Sequence, residues 1–179
     1  DAQYQNGVFN LSVDVINSNE NPTTCVLAYN ILDADGKSVA SANRKCTLTS
    51  TAKVEFDQNI LKDVAAWTAE TPNLYTLVIS IKDENGKTLE ATSSKIGFRT
   101  VEIKDKLLKV NGQAITVKGV NIHEHDEITG HYVTEELMRK DFELFKKYNV
   151  NTVRTSHYPQ QERFYELCDE YGFYVIDEA

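Results

Sequence analysis

No run of apolar residues in this sequence approaches the roughly 20 that a membrane-spanning helix needs, and no charged-then-apolar leader opens it. A membrane partner is therefore not expected. The sequence begins at Asp1 rather than a methionine, so processing and export stay open, and the compartment is left undecided. Basic residues are scarce relative to acidic ones, 19 against 27, which leaves a net charge of -8 and a pI near 5.0. That balance argues against nucleic acid or an anionic membrane as partner and is compatible with a neutral ligand such as a sugar. Cysteine is scarce too. Cys25, Cys46 and Cys168 are odd in number and widely spaced, which fits neither a disulfide framework nor a zinc site. They read as buried thiols. Cys168 shares helical spacing with Phe164, Leu167 and Tyr171, which marks a packed face rather than a nucleophile.

What is present supports packed cores: 41% of the 179 residues are hydrophobic, enough for one large domain or two small ones. From Gly7 to about Gly97 the texture is β. Leu11, Val13 and Val15 alternate with polar residues, as do Tyr75, Leu77, Ile79 and Ile81, and period-two alternation means strands with one buried face. The candidate strands are Val8 to Val15, Cys25 to Leu32, Val39 to Ala42, Lys45 to Leu48, Ala52 to Phe56, Tyr75 to Ile81 and Leu89 to Ile96. Asp35-Gly36 and Asn85-Gly86 suit two-residue hairpin turns. So many short strands in about 100 residues predict a β-sandwich. Trp67 reads as a packing residue rather than a sugar-stacking one. Both cysteines of this half precede Trp67, so the Cys-Trp-Cys order of immunoglobulin domains is absent and any immunoglobulin likeness is one of topology.

The second half alternates helix and strand. Ile115 to Ile122 is a nearly continuous apolar strand interrupted by Gly119, as expected of a strand buried on both faces. Thr134 is placed to cap a helix whose stripe is Met138, Phe142 and Phe145, with Leu137, Leu144 and Tyr148 beside it, and Asn149 suits a left-handed cap at its end. Thr152 to Thr155 is a strand, Pro159 suits the first turn of a second helix, Gly172 caps it, and Phe173 to Ile176 is a third strand. In such α/β units ligands gather at the carboxyl ends of strands, where Arg154, Ser156 and His157 fall. Hydrogen bonding within a loop is the plainer role for Arg154 and His157, and spacing alone does not separate the two.

The run Asn151 to Pro159, followed by Phe164-Tyr165, Cys168-Asp169, Tyr171 to Val175 and Asp177-Glu178-Ala179, resembles the signature segment of the family 2 glycoside hydrolases. Gly119-Val120-Asn121 leading into His123-Glu124-His125-Asp126 resembles the first barrel strand of the β-galactosidases within that family. β-Glucuronidases share the later signature but lack the second histidine of that run. Trp67, Pro72, Leu74 and Tyr75 resemble a stretch that members carry before the penultimate sandwich strand, and Gly97-Phe98-Arg99 with Val101 to Val110 and Asn111-Gly112 resembles the hairpin entry into the catalytic barrel.

The resemblance implies an immunoglobulin-like sandwich over residues 1–99 and the N-terminal part of a TIM (β/α)8 barrel over 100–179. A closed barrel has eight strands and eight helices over roughly 250 residues. With three strands and two helices, and no jelly-roll-like domain before the sandwich, the chain reads as an internal piece of a longer retaining glycosidase cleaving terminal β-galactosides. Retaining enzymes use two carboxylates about 5 to 5.5 Å apart. In the family these are glutamates on later strands, no residue here matches either, and Asp177-Glu178 is not the pair. The piece alone is accordingly expected to be inactive. The positions that carry over are His123 and His157 as hydrogen-bonding groups to the sugar, Asn121 as a further substrate contact, and Arg154 as the group that holds the nucleophile ionised and oriented. His131 matches no motif and reads as a solvated loop residue. The implied partner is a β-galactoside or oligosaccharide, with a homo-oligomer also open. No cofactor is expected within the chain, and magnesium is expected only of the longer enzyme. Three alternatives stand: a β-glucuronidase or β-mannosidase of the same family; a zinc amidohydrolase using the His-x-His of His123 and His125; and a non-catalytic module binding carbohydrate or a partner.

Overall fold

The computed structural model describes residues 3–18 and 20–179, so the first two residues of the expected 1–99 domain lie outside the described part. The chain divides into two compact units, Asp1–Ala65 with Leu74–Phe98, and Ala66–Asn73 with Arg99–Ala179.

The first unit is built of β1 (Gly7–Phe9), β2 (Ser12–Ile16), β3 (Thr23–Leu32), β4 (Ser38–Leu48), β5 (Thr51–Glu55), β6 (Asn59–Leu61), β7 (Tyr75–Lys82) and β8 (Thr88–Ile96). A four-stranded antiparallel sheet runs β4-β3-β7-β8, and the two-stranded ladders β1-β6 and β2-β5 cover it. On β3 the core face is strict alternation: Cys25, Leu27, Tyr29 and Ile31 are buried and their neighbours are not. Val15 and Val54 from the β2-β5 ladder close over Cys25 and Leu27, with Leu48 beside them in the same sheet, while Phe9 and Leu61 from the β1-β6 ladder close over Tyr29 and Ile31, with Tyr75 and Leu77 beside them. This is a sandwich, as the alternation predicts.

Several expected boundaries differ. Val8 to Val15 is two strands, because β1 pairs with β6 and β2 with β5. Val39 to Ala42 and Lys45 to Leu48 are one strand, since Asn43 and Arg44 stay paired with Ala28 and Leu27. Asn59–Leu61 is too short to show a period. The turns at Asp35-Gly36 and Asn85-Gly86 are not two-residue turns. In both loops the glycine alone is left-handed, at φ 78° and 82°, and an aspartate two residues before Asp35 or Asn85 orders the loop: the Asp33 carboxylate accepts from the Asp35 and Lys37 amides, and Asp83 accepts from Asn85 and Lys87. Longer loops with a left-handed residue at the end are the other common hairpin solution.

The second unit opens with the meander β9 (Val101–Lys104), β10 (Leu107–Val110) and β11 (Gln113–Ala114). Its two turns are the two-residue ones. Asp105 and Lys106, then Asn111 and Gly112, all have positive φ, as a type I′ turn requires. A parallel sheet β12-β13-β14 follows, of β12 (Gly119–Ile122), β13 (Thr152–Thr155) and β14 (Tyr174–Ile176), with α1 (Glu135–Lys147) and α2 (Glu162–Tyr171) between the strands. Residues 115–118 lie outside β12, and β12 alternates in exposure instead of being buried on both faces.

Thr134 caps α1 by accepting from the Leu137 amide, and Asn149, at φ 57°, follows its end. Met138 and Phe142 are buried and Phe145 partly so, but Leu144 and Tyr148 face solvent and do not join the stripe. Helix α2 starts at Glu162 after Gln161, three residues beyond Pro159, so the proline precedes the helix and is not in its first turn. Gly172 ends α2 in the left-handed conformation. Phe142 meets the rings of Phe164, Tyr171 and Phe173 at 4.9 to 5.7 Å and anchors both helices to Val153. On the surface Glu135 bridges Arg139 and Arg163, and Arg163 reaches Glu170 at 3.1 Å, joining α1 to α2. These contacts hold Glu135 well below its ordinary 4.5, at about 2, through hydrogen bonds from Arg163 and then Arg139.

Trp67 is buried, as expected, but in this second unit. Its indole N–H donates to the Asp169 carbonyl at 2.9 Å, its ring meets Tyr174 edge-on at 5.7 Å, and the Arg99 guanidinium lies 4.6 Å over it. Lys146 donates to the Ala69 and Gly172 carbonyls at 2.9 and 2.8 Å. The segment Ala66–Asn73, though flanked in sequence by sandwich strands, is thereby fixed to the α/β unit.

Candidate active site

The parallel sheet puts chemistry at one end. Register places Asn121 beside Arg154 and Arg154 beside Ile176. The alternate residues Val120, Val153 and Val175 pack under the helices. Asn121 and Arg154 therefore stand on the face turned away from α1 and α2, because successive side chains on a strand alternate. Two residues beyond Ile176, on the same parity, comes Glu178.

Glu178 is the hub. Its carboxylate forms an ion pair with Arg154 and lies 3.0 Å from Nδ1 of His157. Arg154 also donates to the Asn121 side-chain oxygen at 3.3 Å. The backbone of Glu178 is held by the Thr155 hydroxyl at 2.9 Å. Its neighbour Asp177 accepts from Tyr165 at 2.7 Å and Thr155 at 2.8 Å. Those two bonds, Tyr165 first, pull the Asp177 carboxyl below the usual carboxylate range. Both carboxylates at the end of β14 are thus occupied in holding the site together. Ser156 turns back, donating to the Ile122 carbonyl through amide and hydroxyl.

On the β12 side the Tyr158 hydroxyl lies 3.1 Å from Nδ1 of His123. His131, although exposed, is no isolated loop residue: it contacts the rings of His123 and His125 at 6.0 and 5.9 Å and its Nδ1 lies 2.8 Å from the Glu124 carbonyl. The Asp126 carboxylate organises the same loop, accepting from the Ile128 and Thr129 amides and the Thr129 hydroxyl.

All four expected residues reach this strand end, in two groups: Asn121, Arg154 and His157 are linked through Arg154 and Glu178, and His123 stands with Tyr158. Tyr158 and His131 were missed as site members. Glu178 was legible from parity once β13 and β14 are laid side by side. His131 was not, because its approach depends on a loop of irregular backbone. Among the described residues no group of three His, Cys, Asp or Glu side chains is arranged to hold a metal ion. Cys168 is fully buried and its thiol is pushed up by burial, unlike a reactive nucleophile.

Comparison with known proteins bears on the family of the chain. The family model described as "Glycosyl hydrolases family 2" matches residues 1–99, and "Glycosyl hydrolases family 2, TIM barrel domain" matches residues 101–179. A β-galactosidase of Priestia megaterium (strain DSM 319 / IMG 1521) is 43% identical over 183 residues, covering 100% of this chain and 18% of its own. One of Vibrio vulnificus (strain YJ016) is 54% identical over 126 residues, 70% of this chain and 12% of its own. Among solved structures, a Bacteroides uniformis β-glucuronidase superposes with a TM-score of 0.90 at 24% identity, over 97% of this chain and 21% of its own. A Parabacteroides merdae β-glucuronidase gives 0.87 at 27%, over 98% and 22%. The chain spans less than a fifth of the length of either β-galactosidase. With its residues 1–99 and 101–179 matched by two models of the one family, the chain belongs to glycosyl hydrolase family 2.

Proposed function

We propose that this chain is the sandwich and the first β/α units of an eightfold barrel in a longer retaining glycosidase that cleaves terminal β-galactosides. The observation that carries the reading is the pair of bonds by which Glu178 holds Arg154 and His157 together at the carboxyl ends of parallel strands. With Nδ1 of His157 turned to a carboxylate, its tautomer is fixed and Nε2 is left for a sugar hydroxyl. His123 is oriented by Tyr158, whose hydroxyl lies at its Nδ1. Arg154, steadied by Glu178 and Asn121, offers a planar fork that grips a further carboxylate and keeps it ionised. That carboxylate is the nucleophile, supplied from outside these residues together with the acid/base. Asp177 and Glu178 are each committed to hydrogen bonds here, which supports reading neither as a member of the pair. The choice of β-galactosides rests on the curated β-galactosidases, 43% identical over the whole chain and 54% over 126 residues.

The test has two arms. The chain alone should show no hydrolysis of nitrophenyl glycosides above background; saturable activity would sink the reading. In the longer enzyme β-galactosides should be preferred over β-glucuronides, and His157→Ala should lower kcat/KM by about 10² to 10³, the scale of one strong transition-state hydrogen bond. A variant within threefold of wild type would remove His157 from the site.

A further inference from the structure

Cys25 and Cys46 face one another across the hairpin of β3 and β4, directly paired in register. Their sulfurs are 3.2 Å apart, yet both are free thiols. Directly opposed residues of antiparallel strands have Cα atoms about 4.5 to 5.5 Å apart, inside the range of about 4.4 to 6.8 Å over which a disulfide closes without backbone movement. A turn of the two side chains brings the sulfurs to bonding distance. The two thiols differ in access. Cys25 is 2% exposed, among Val15, Leu27, Leu48 and Val54. Cys46 is only half-buried, on β4 at the edge of its sheet. Burial first, and then the adjoining Cys46 sulfur, push the Cys25 thiol up to about 11, so it is the slower to meet an oxidant.

We infer that Cys25 and Cys46 are a reversible redox site, closing an intramolecular disulfide by exchange with a small soluble disulfide such as oxidised glutathione. Cys46, deprotonated to solvent, attacks one sulfur of the glutathione disulfide; that S–S bond breaks and one glutathione leaves as a thiolate. Cys25 then gives up its proton and attacks the Cys46 sulfur, and the second glutathione leaves. Two protein thiols are oxidised, one disulfide is reduced to two thiols, and the two protons end on the glutathione sulfurs. The neighbouring thiol makes the second step intramolecular, which favours closure over a lasting mixed disulfide. The bond ties the edge strand β4 to β3 across the intervening hairpin. In a reducing compartment the pair stays open, and in an oxidising one it stays closed.

Cys168, buried in the other unit's core, is the internal control. The full chain is equilibrated in glutathione buffers from reducing to oxidising, its free thiols are alkylated without unfolding and then after it, and the peptides are mapped by mass. Oxidation should remove two of the three thiols, yield a linked peptide containing Cys25 and Cys46, leave no glutathione attached, and be reversed by reductant. Cys25→Ala should instead accumulate glutathione on Cys46. Three alkylatable thiols in the most oxidising buffer, or a stable glutathione adduct on wild-type Cys46, would overturn the inference. Should Cys25→Ala fail to fold, the wild-type peptide map decides.

Discussion

In the sandwich, Leu27 and Ile31 sit on β3 with a sheet on their own side and paired ladders closing over them. In the α/β unit, Val153 sits on β13 beneath two helices, while the next residue on the same strand, Arg154, faces the other way into an ion pair. One architecture spends both layers on a core. The other packs one face of its sheet beneath helices and gathers its ionisable groups at the strand ends. The lesson concerns charge: Arg154, His157, Asp177 and Glu178 share one region at the strand ends, on strands anchored from behind by Phe142 and its aromatic neighbours.

The sharpest way to break this contrast is to remove that anchor. Phe142→Ala should cost about 3 to 5 kcal/mol, the range for deleting a buried aromatic. Hydrogen exchange should then show β12, β13, β14 and both helices losing protection while β3 and β7 keep theirs. Equal loss in both units would mean that they do not unfold separately. The reciprocal change, Ile31→Ala in the sandwich, should cost about 2 to 5 kcal/mol and reverse the pattern. Chemical denaturation of each variant gives the magnitudes.

Two glycines sharpen the comparison at smaller scale. Gly36 at φ 78° has nothing within 4 Å of an added Cβ, so Gly36→Ala should cost only the left-handed penalty, about 1 to 2 kcal/mol. Gly172 at φ 77° would put the same Cβ 2.5 Å from the Ala69 carbonyl, so Gly172→Ala should cost more and loosen the Ala66–Asn73 segment. Equal melting shifts in the two variants would show that this segment yields freely.

The smallest effect is electrostatic. The folded-state pKa of Glu135 is depressed, so its contribution is present above the ordinary 4.5 and is lost as pH falls towards about 2. Acid titration should weaken the α/β unit over that window, and Glu135→Gln should flatten the dependence there. Added salt should mimic part of the effect, since the group is exposed. An unchanged acid profile in Glu135→Gln would take the helix surface out of the account.

Local pattern made much of this readable. β13 has the limits its β-branched run predicts, and Thr134, Asn149 and Gly172 mark helix ends by their own chemistry. The errors came where partners are distant. Ala66–Asn73 sits between sandwich strands in sequence, and contacts far along the chain, such as Trp67 to Asp169, 102 residues on, and Lys146 to Ala69, assign it to the other unit. The turn type at Gly36 depended on Asp33, outside the pair that drew attention. Arg154, His157 and the carboxylates ending the third strand were visible as strand-end residues, whereas the choice of Glu178 over Asp177 as the shared partner needed the strands side by side.

Trp67 is the single tryptophan of the chain, and it is 1% exposed in the α/β unit. The protein therefore contains its own optical probe, selective for one half. Light absorbed by indole alone reports on the surroundings of Tyr174 and Arg99 and is silent about the tyrosines of the sandwich. Its emission moves to the red when water reaches the ring, so an unfolding curve followed by that colour traces the half that carries the strand-end chemistry.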